Sequence, residues 1–254
     1  MIIIKTPEEL ERMRASGQVA ARIREELARK MAPGVSTAEL DDYAREMMAK
    51  VGARSAFFGY RGFPGHICTS VNNVVVHGIP GPQRIQVGDL VSVDVGVIFE
   101  GFIGDTATTV MVGVTDPKLV RLVRVAEEAL EKGIARAVAG GRLSDVSNAI
   151  EQTVVQAGFS VVREFVGHGV GRSMHEEPQI PNYGPPGRGP KLKAGMTLAI
   201  EPMVNLGGAD VEVLSDGWTV TTLDRLPSAH VEHTVAVMDG YAEILTRAPA
   251  PAVK

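Results

Sequence analysis

The chain has 254 residues, 44% hydrophobic and 22% charged, with a formal net charge of −4. That is enough for one large domain or two small ones with a real core, and no run of Lys or Arg is present to hold nucleic acid or an anionic membrane by charge alone. A single cysteine, Cys68, excludes an intrachain disulfide, and the apolar start of "MIIIKTPEEL" is too short for a signal peptide, so a cytoplasmic globular protein with no membrane span is expected.

In chain order, "TPEELERMRASGQVAARIREELARKMA" opens with Thr6 as N-cap, Pro7 as first helical residue and Glu9 closing a capping box. Leu10, Met13, Ile23, Leu27 and Met31 then recur at helical spacing. "STAELDDYAREMMAKVG" repeats the device with Ser36 and Glu39; Gly52 ends that helix, and Met47 and Met48 read as helix packing. A strand-rich block runs from about Asn73 to Val114. Pro117 begins another long helix that stops at Gly140-Gly141, and Ser144 starts a shorter one that stops at Gly158. A second strand-rich block, broken by the loop "PNYGPPGRGPKLKAG", continues to about Leu245. Helices then strands, twice over, predict a single α+β domain over 1–254 with internal halves of about 1–115 and 116–250.

The first strand block holds an oddity in "LVSVDVGVIFEGFIGDTA". Val91, Val93, Val95 and Val97 form one face of a strand, with Asp94 on the other; Glu100-Gly101 supplies the turn. Asp105 then falls opposite Gly96 and diagonal to Asp94 on the same face. Two carboxylates held together form either an acid dyad or half of a metal site. The second half carries the same pattern. Asp94 in "VGDLVSVDVGV" lies six residues after Gly88, and Glu201 in "AGMTLAIEPMV" six after Gly195. Asp105 leads Met111 and Gly113 at the same offsets by which Glu232 leads Met238 and Gly240. A duplicated unit related by a pseudo-twofold axis would bring all four acids to one centre, where two divalent cations would cancel their charge. Oxygen ligands with one imidazole favour Mn, Fe or Co, with Zn also admissible, over a Cys-rich structural zinc. His168 and His175 in "EFVGHGVGRSMHEEPQIP", and His77 in "VVVHGIPG", offer the imidazole.

"VVHGIPG", "SVDVGVIFEGFIGDTA", "GHGVGRSMHEEPQIPN", "AIEPMV", "DGWTV" and "VEHTVAV" follow one another as in type I methionine aminopeptidases, which the chain resembles over nearly its whole length. The resemblance implies a pita-bread fold, an antiparallel sheet with pseudo-twofold symmetry backed by helices, around a dinuclear metal centre. It implies Asp94, Asp105, His168, Glu201 and Glu232 as metal ligands, and His77 and His175 as catalytic histidines that are not ligands. Glu201 is expected to serve also as proton carrier, and His175 as donor to the oxyanion. A methionine pocket of Phe57, Tyr60, Phe63, Cys68, Met174 and Trp218 follows from the same likeness. Met174 and Phe57 depart from bacterial relatives, which often carry phenylalanine before the "HEEP" histidine and a cysteine near Phe57. A monovalent-cation site at Asn72, Val74 and Ser228 is expected too. The implied activity is removal of the initiator methionine from nascent proteins with a small second residue. The implied enzyme is a monomer that acts near the ribosome and does not itself bind nucleic acid.

Taken singly, most of these residues have ordinary readings. A lone buried acid such as Asp94 is more often structural, Cys68 reads as a small hydrophobe, and His66, His230 and His233 are assigned structural places. No glycine cluster fits a phosphate-cradling loop. Two other functions compete: an X-Pro aminopeptidase or prolidase on the same fold, and a non-catalytic relative that only binds a partner. The capping box at Thr6 leaves no room for the N-terminal domain of the former, and the complete set of acids and imidazole argues against the latter.

Overall fold

The computed structural model describes residues 1–248; the expected domain's last residues, 249–254, lie outside the described residues. It opens with α1 (Pro7–Lys30) and α2 (Thr37–Lys50). Both begin as the sequence predicts. Thr6 Oγ1 accepts from the Glu9 N–H while the Glu9 carboxylate accepts from the Thr6 N–H, and Ser36 and Glu39 reciprocate in the same way. Next come β1 (Arg54–Ser55), β2 (Cys68–Val71), β3 (Val74–Val76), β4 (Leu90–Phe99) and β5 (Phe102–Met111). The strand block thus starts at Cys68 rather than Asn73. The second half has α3 (Pro117–Ile134) and α4 (Leu143–Gln156), then β6 (Ser160–Val161), β7 (Gly167–Gly169), β8 (Glu176–Ile180), β9 (Thr197–Ile200) and β10 (Met203–Asn205). It closes with β11 (Val211–Val213), β12 (Val220–Thr222), β13 (Ser228–His230), β14 (His233–Val237) and β15 (Ala242–Ile244).

Two helix boundaries depart from the sequence reading. The third helix stops at Ile134, short of Gly140, because the chain beyond it is held by distant segments: the Ala139 N–H donates to Met238 O, just after β14, and the Gly140 N–H to Leu192 O, between β8 and β9. The fourth starts one residue earlier than expected, with Arg142 as N-cap. There the Arg142 N–H donates to the Asp145 carboxylate, while Ser144 Oγ accepts from Arg188 N–H in a neighbouring loop. Between Glu201 and Glu232 lie four short strands, β10 to β13.

All pairings among the described strands are antiparallel. β4 and β5 form a hairpin around Glu100-Gly101, both left-handed at φ 51° and 80°, as a two-residue turn requires. β1 and β2 share the other edge of β4. β15, β14, β9, β7 and β8 make the second main sheet, in that order. Each sheet is backed by its own helix pair, so the core is in two lobes. Val91, Val93, Val95 and Val97 pack under α1 and α2, while Leu198, Ile200, Val235 and Val237 pack under α3 and α4.

The lobes meet along β5 and β14. Ala107 and Glu232 exchange backbone hydrogen bonds, at 3.3 and 3.0 Å, and Thr234 Oγ1 bridges the N–H and C=O of Asp105 at 3.2 and 2.8 Å. The sequence repeat equates Asp105 with Glu232 and Ala107 with Thr234, so a twofold axis must exchange the 105–234 contact with the 107–232 contact. Both are present.

α1 lies so close on the hairpin that a Cβ on Gly104 would meet Ser16 O at 2.6 Å and Gly17 N at 2.7 Å. Ser16 Oγ donates to Val97 O and Phe102 O at the same crossing. Gly104→Ala is therefore expected to lower stability by about 1–3 kcal/mol, the ordinary cost of overpacking, read as a shifted urea midpoint. An unchanged midpoint would contradict the close crossing.

Candidate metal centre

The four acids arrive from four strand positions at the seam between the lobes. Asp94 pairs with Ala107 and Asp105 with Gly96, which sets the two carboxylates diagonally on one face of the hairpin, as predicted. Glu201 directly follows β9 and Glu232 directly precedes β14, one step past the registered pair His233 and Ile200. His168 sits on β7 opposite Ala199. Its flanking glycines have a steric cause, since a Cβ on Gly167 would meet Ala199 O at 2.5 Å and one on Gly169 would meet Glu177 O at 2.3 Å.

The side chains converge. His168 Nε2 is 3.7 Å from Asp105 Oδ2 and 3.6 Å from Glu201 Oε1. One ligand atom from each of Asp105, His168 and Glu232 falls within 4.8 Å of the others. His168 Nδ1 is 2.9 Å from Gly169 O; a carbonyl only accepts, so the proton is on Nδ1 and the Nε2 lone pair faces the acids. Burial pushes Asp94 up to about 7 and Glu201 to about 8, and raises Asp105 and Glu232 well above the usual carboxylate range. Burial likewise depresses His168 to about 3, keeping it neutral. Asp94 Oδ1, Asp105 Oδ1 and Glu232 Oε1 are buried without a hydrogen-bond partner among the described residues. Orphaned carboxylate oxygens in the same buried cluster as a neutral imidazole lone pair fit a divalent cation, which would satisfy both at once.

Above the acids lies a cavity of about 270 Å³, lined by all the residues singled out in the sequence as ligands, catalytic histidines or pocket walls. Phe57, Phe63, Cys68 and Met174 are buried apolar walls, with Tyr60 and Trp218 half-buried. Phe63 meets Trp218 edge-on at 5.1 Å. His175 is on the rim, its Nδ1 2.8 Å from Tyr60 Oη and its ring 4.3 Å from that of His168. His77 adopts φ 59°, a left-handed conformation uncommon outside glycine, and stands edge-on to Phe165 and Trp218. Burial depresses His77 to about 4, so it is neutral at pH 7.

Three residues in or beside the site escaped the sequence reading. Phe165 and Arg61 line the cavity. His230, assigned a structural place, is 2% exposed with Nε2 3.6 Å from Glu201 Oε2 and no closer partner among the described residues. Its two-residue spacing from Glu232 was the available signal, because residues i and i+2 of an extended segment share a face. His66 is held by Asp41 and His233 by Thr246, both as structural groups. At the expected monovalent-cation site, Ser228 N–H donates to Asn72 O, and Ser228 Oγ donates to Val204 O and lies 2.8 Å from Asn205 Oδ1. Val74 pairs with Thr221 nearby.

Residues 11–239 match Metallopeptidase family M24. The methionine aminopeptidase of Clostridium perfringens is 50% identical over 246 residues, covering 97% of this chain and 99% of its own. Methionine aminopeptidase 1 of Bacillus subtilis is 51% identical over 247 residues, 97% of this chain and 100% of its own. The crystal structure of methionine aminopeptidase from Thermotoga maritima superposes with a TM-score of 0.95 at 48% identity, covering 97% of this chain and 100% of that one.

Proposed function

The chain belongs to Metallopeptidase family M24, among its methionine aminopeptidases, and from that premise we propose that it removes the N-terminal methionine of peptides and nascent proteins whose second residue is small. The observation that carries the reading is one cavity in which orphaned carboxylates and a neutral imidazole form the floor and an apolar slot forms the wall. In this reading Asp94, Asp105, His168, Glu201 and Glu232 hold two divalent cations, of Co, Mn or Fe type with Zn admissible. When bound, such cations supply Lewis-acid polarisation and lower the pKa of the attacking water.

This chain's own residues do the rest. Phe57, Phe63, Cys68, Met174 and Trp218 take the methionine side chain, Met174 offering a polarisable sulfur to the thioether. Tyr60 Oη lies 2.8 Å from His175 Nδ1; with the hydroxyl as donor the imidazole proton rests on Nε2, where it can be donated to the carbonyl oxygen as negative charge develops there. Neutral His77 positions the scissile amide. Glu201, a carboxylate once the cations displace its proton, carries a proton from the water to the leaving nitrogen. Among the described residues no helix is long and apolar enough to cross a membrane. With one free, buried cysteine, a reduced cytoplasmic setting on chains leaving the ribosome, and a monomeric enzyme, complete the proposal.

The test uses metal-restored protein on Met-Ala, Met-Leu, Ala-Pro and Arg-Ala peptides, with products read by mass spectrometry. Met-Ala is expected to be cleaved and Met-Leu at least about 10- to 200-fold more slowly in kcat/KM, the discrimination a tight pocket imposes for a single methylene. Ala-Pro and Arg-Ala should stay intact. Equal rates on Met-Ala and Met-Leu would remove the small-residue rule, and preference for Ala-Pro would favour the prolidase-type alternative.

A further inference from the structure

Arg61 lies on the cavity rim and is assigned no contact with substrate in the reading above. It is the middle residue of the tight turn Tyr60–Gly62, at φ 48° and ψ 25°, with left-handed Gly59 and Gly62 close on either side. An L side chain is disfavoured in that conformation and glycine is not, so a long cation here calls for a reason. The side chain is exposed, its guanidinium carbon 5.4 Å from the centroid of the Tyr60 ring, and it has no carboxylate partner among the described residues. Tyr60 in turn holds His175, so the guanidinium stands on the same wall as the expected oxyanion donor. His77, Phe165 and Trp218, the first edge-on to the other two in the same lining, carry no charge, and the carboxylates of the cavity are the buried acids of the candidate metal centre.

A chain that places methionine in the apolar slot and its first peptide bond over the acids must leave past this rim. The Arg61 guanidinium carbon is 5.4 Å from the Tyr60 ring centroid, which is itself 5.5 Å from that of His175, and two steps of extended chain at about 3.3–3.6 Å each carry the third residue of the substrate into that span. We propose that Arg61 is a specificity-determining residue whose guanidinium pairs with a carboxylate side chain at the third residue of the substrate. The assignment rests on the aminopeptidase reading and deepens it: acidic third residues are processed faster, and lysine at that place slower.

The experiment measures kcat/KM at low salt for Met-Ala-Asp-Ser, Met-Ala-Asn-Ser and Met-Ala-Lys-Ser amides with manganese-restored wild type, Arg61→Gln, Arg61→Lys and Arg61→Glu. An exposed ion pair gives the aspartyl peptide an advantage of about 1.4- to 5-fold over the asparaginyl one in wild type. That advantage should vanish in Arg61→Gln, persist in part in Arg61→Lys and reverse toward lysine in Arg61→Glu, and salt should erase it in wild type. The readout is the ratio of the aspartyl to the asparaginyl kcat/KM, because a change passed through Tyr60 or His175 moves all three peptides together and leaves that ratio intact. A uniform loss on all three peptides, or an aspartyl preference that survives in Arg61→Gln, would overturn the assignment. No cleavage of any of them by restored wild type would overturn the aminopeptidase reading and this assignment with it.

Discussion

Exhaustive chelation will abolish turnover, and adding back manganese, cobalt or ferrous iron will restore it together with a rise in Tm of about 5 to 10 °C. The thermal figure follows from linkage: a ligand at a hundredfold excess over its Kd stabilises by about 2.7 kcal/mol, and a chain of this size gains about 2–4 °C per kcal/mol. The pH dependence has a definite sign. In the metal-free fold burial pushes Asp94 to about 7 and Glu201 to about 8, against about 4 for both in an unfolded chain. The folded apoprotein therefore binds more protons than the unfolded chain between about pH 4 and 8, and its stability falls as pH rises through that window. Cations must displace those protons, so metal affinity rises over the same window and binding releases protons. Calorimetry in two buffers of different ionisation enthalpy, with melting curves at pH 5 and pH 8, reads both effects. Chelator-resistant turnover, or a Tm indifferent to metal at pH 8, would remove the metal centre from the function.

What could be read from the sequence divides along the reach of each interaction. The capping boxes at Thr6 and Ser36 and the Glu100-Gly101 turn were legible because their hydrogen bonds close within three residues or so. The diagonal of Asp94 and Asp105 followed from strand alternation and that turn, and the meeting of the two halves from the repeat of acids at fixed offsets. Illegible features are set by partners distant in sequence. Ile134 ends its helix because Met238 and Leu192, on distant segments, offer carbonyls to the chain just beyond it. His230 reaches Glu201 only because β13 runs beside the seam, where Thr109 accepts its N–H and donates back to its carbonyl. Arg61 on the rim depends on a run of left-handed residues that "GYRG" does not announce, since Tyr60 and Arg61 are not turn formers.

His175→Ala is expected to lower kcat by about 10²- to 10³-fold while leaving metal content and Tm unchanged, whereas His168→Ala should lose metal. The two imidazoles lie 4.3 Å apart, so proximity alone does not assign their roles. Their second nitrogens do. His168 is buried, its Nδ1 proton is held by Gly169 O, and the lone pair on Nε2 faces the acids, an arrangement suited to a cation. His175 is at the solvent edge with Nδ1 facing the Tyr60 hydroxyl, and burial first and Arg61 second hold it below its ordinary pKa, so at pH 7 it is neutral. A neutral imidazole that accepts at Nδ1 must donate at Nε2, and such a donor strengthens its hydrogen bond as the carbonyl oxygen gains charge in the transition state; loss of one is worth about 2.7–4 kcal/mol. Tyr60→Phe gives the control: without the hydroxyl the tautomer is no longer fixed, so kcat should fall by a smaller factor with KM nearly constant. Metal analysis by atomic emission alongside steady-state kinetics decides the matter. A His175→Ala protein that lost its metal would make this residue a ligand, and one that kept both metal and full kcat would leave the developing oxyanion without the donor assigned to it.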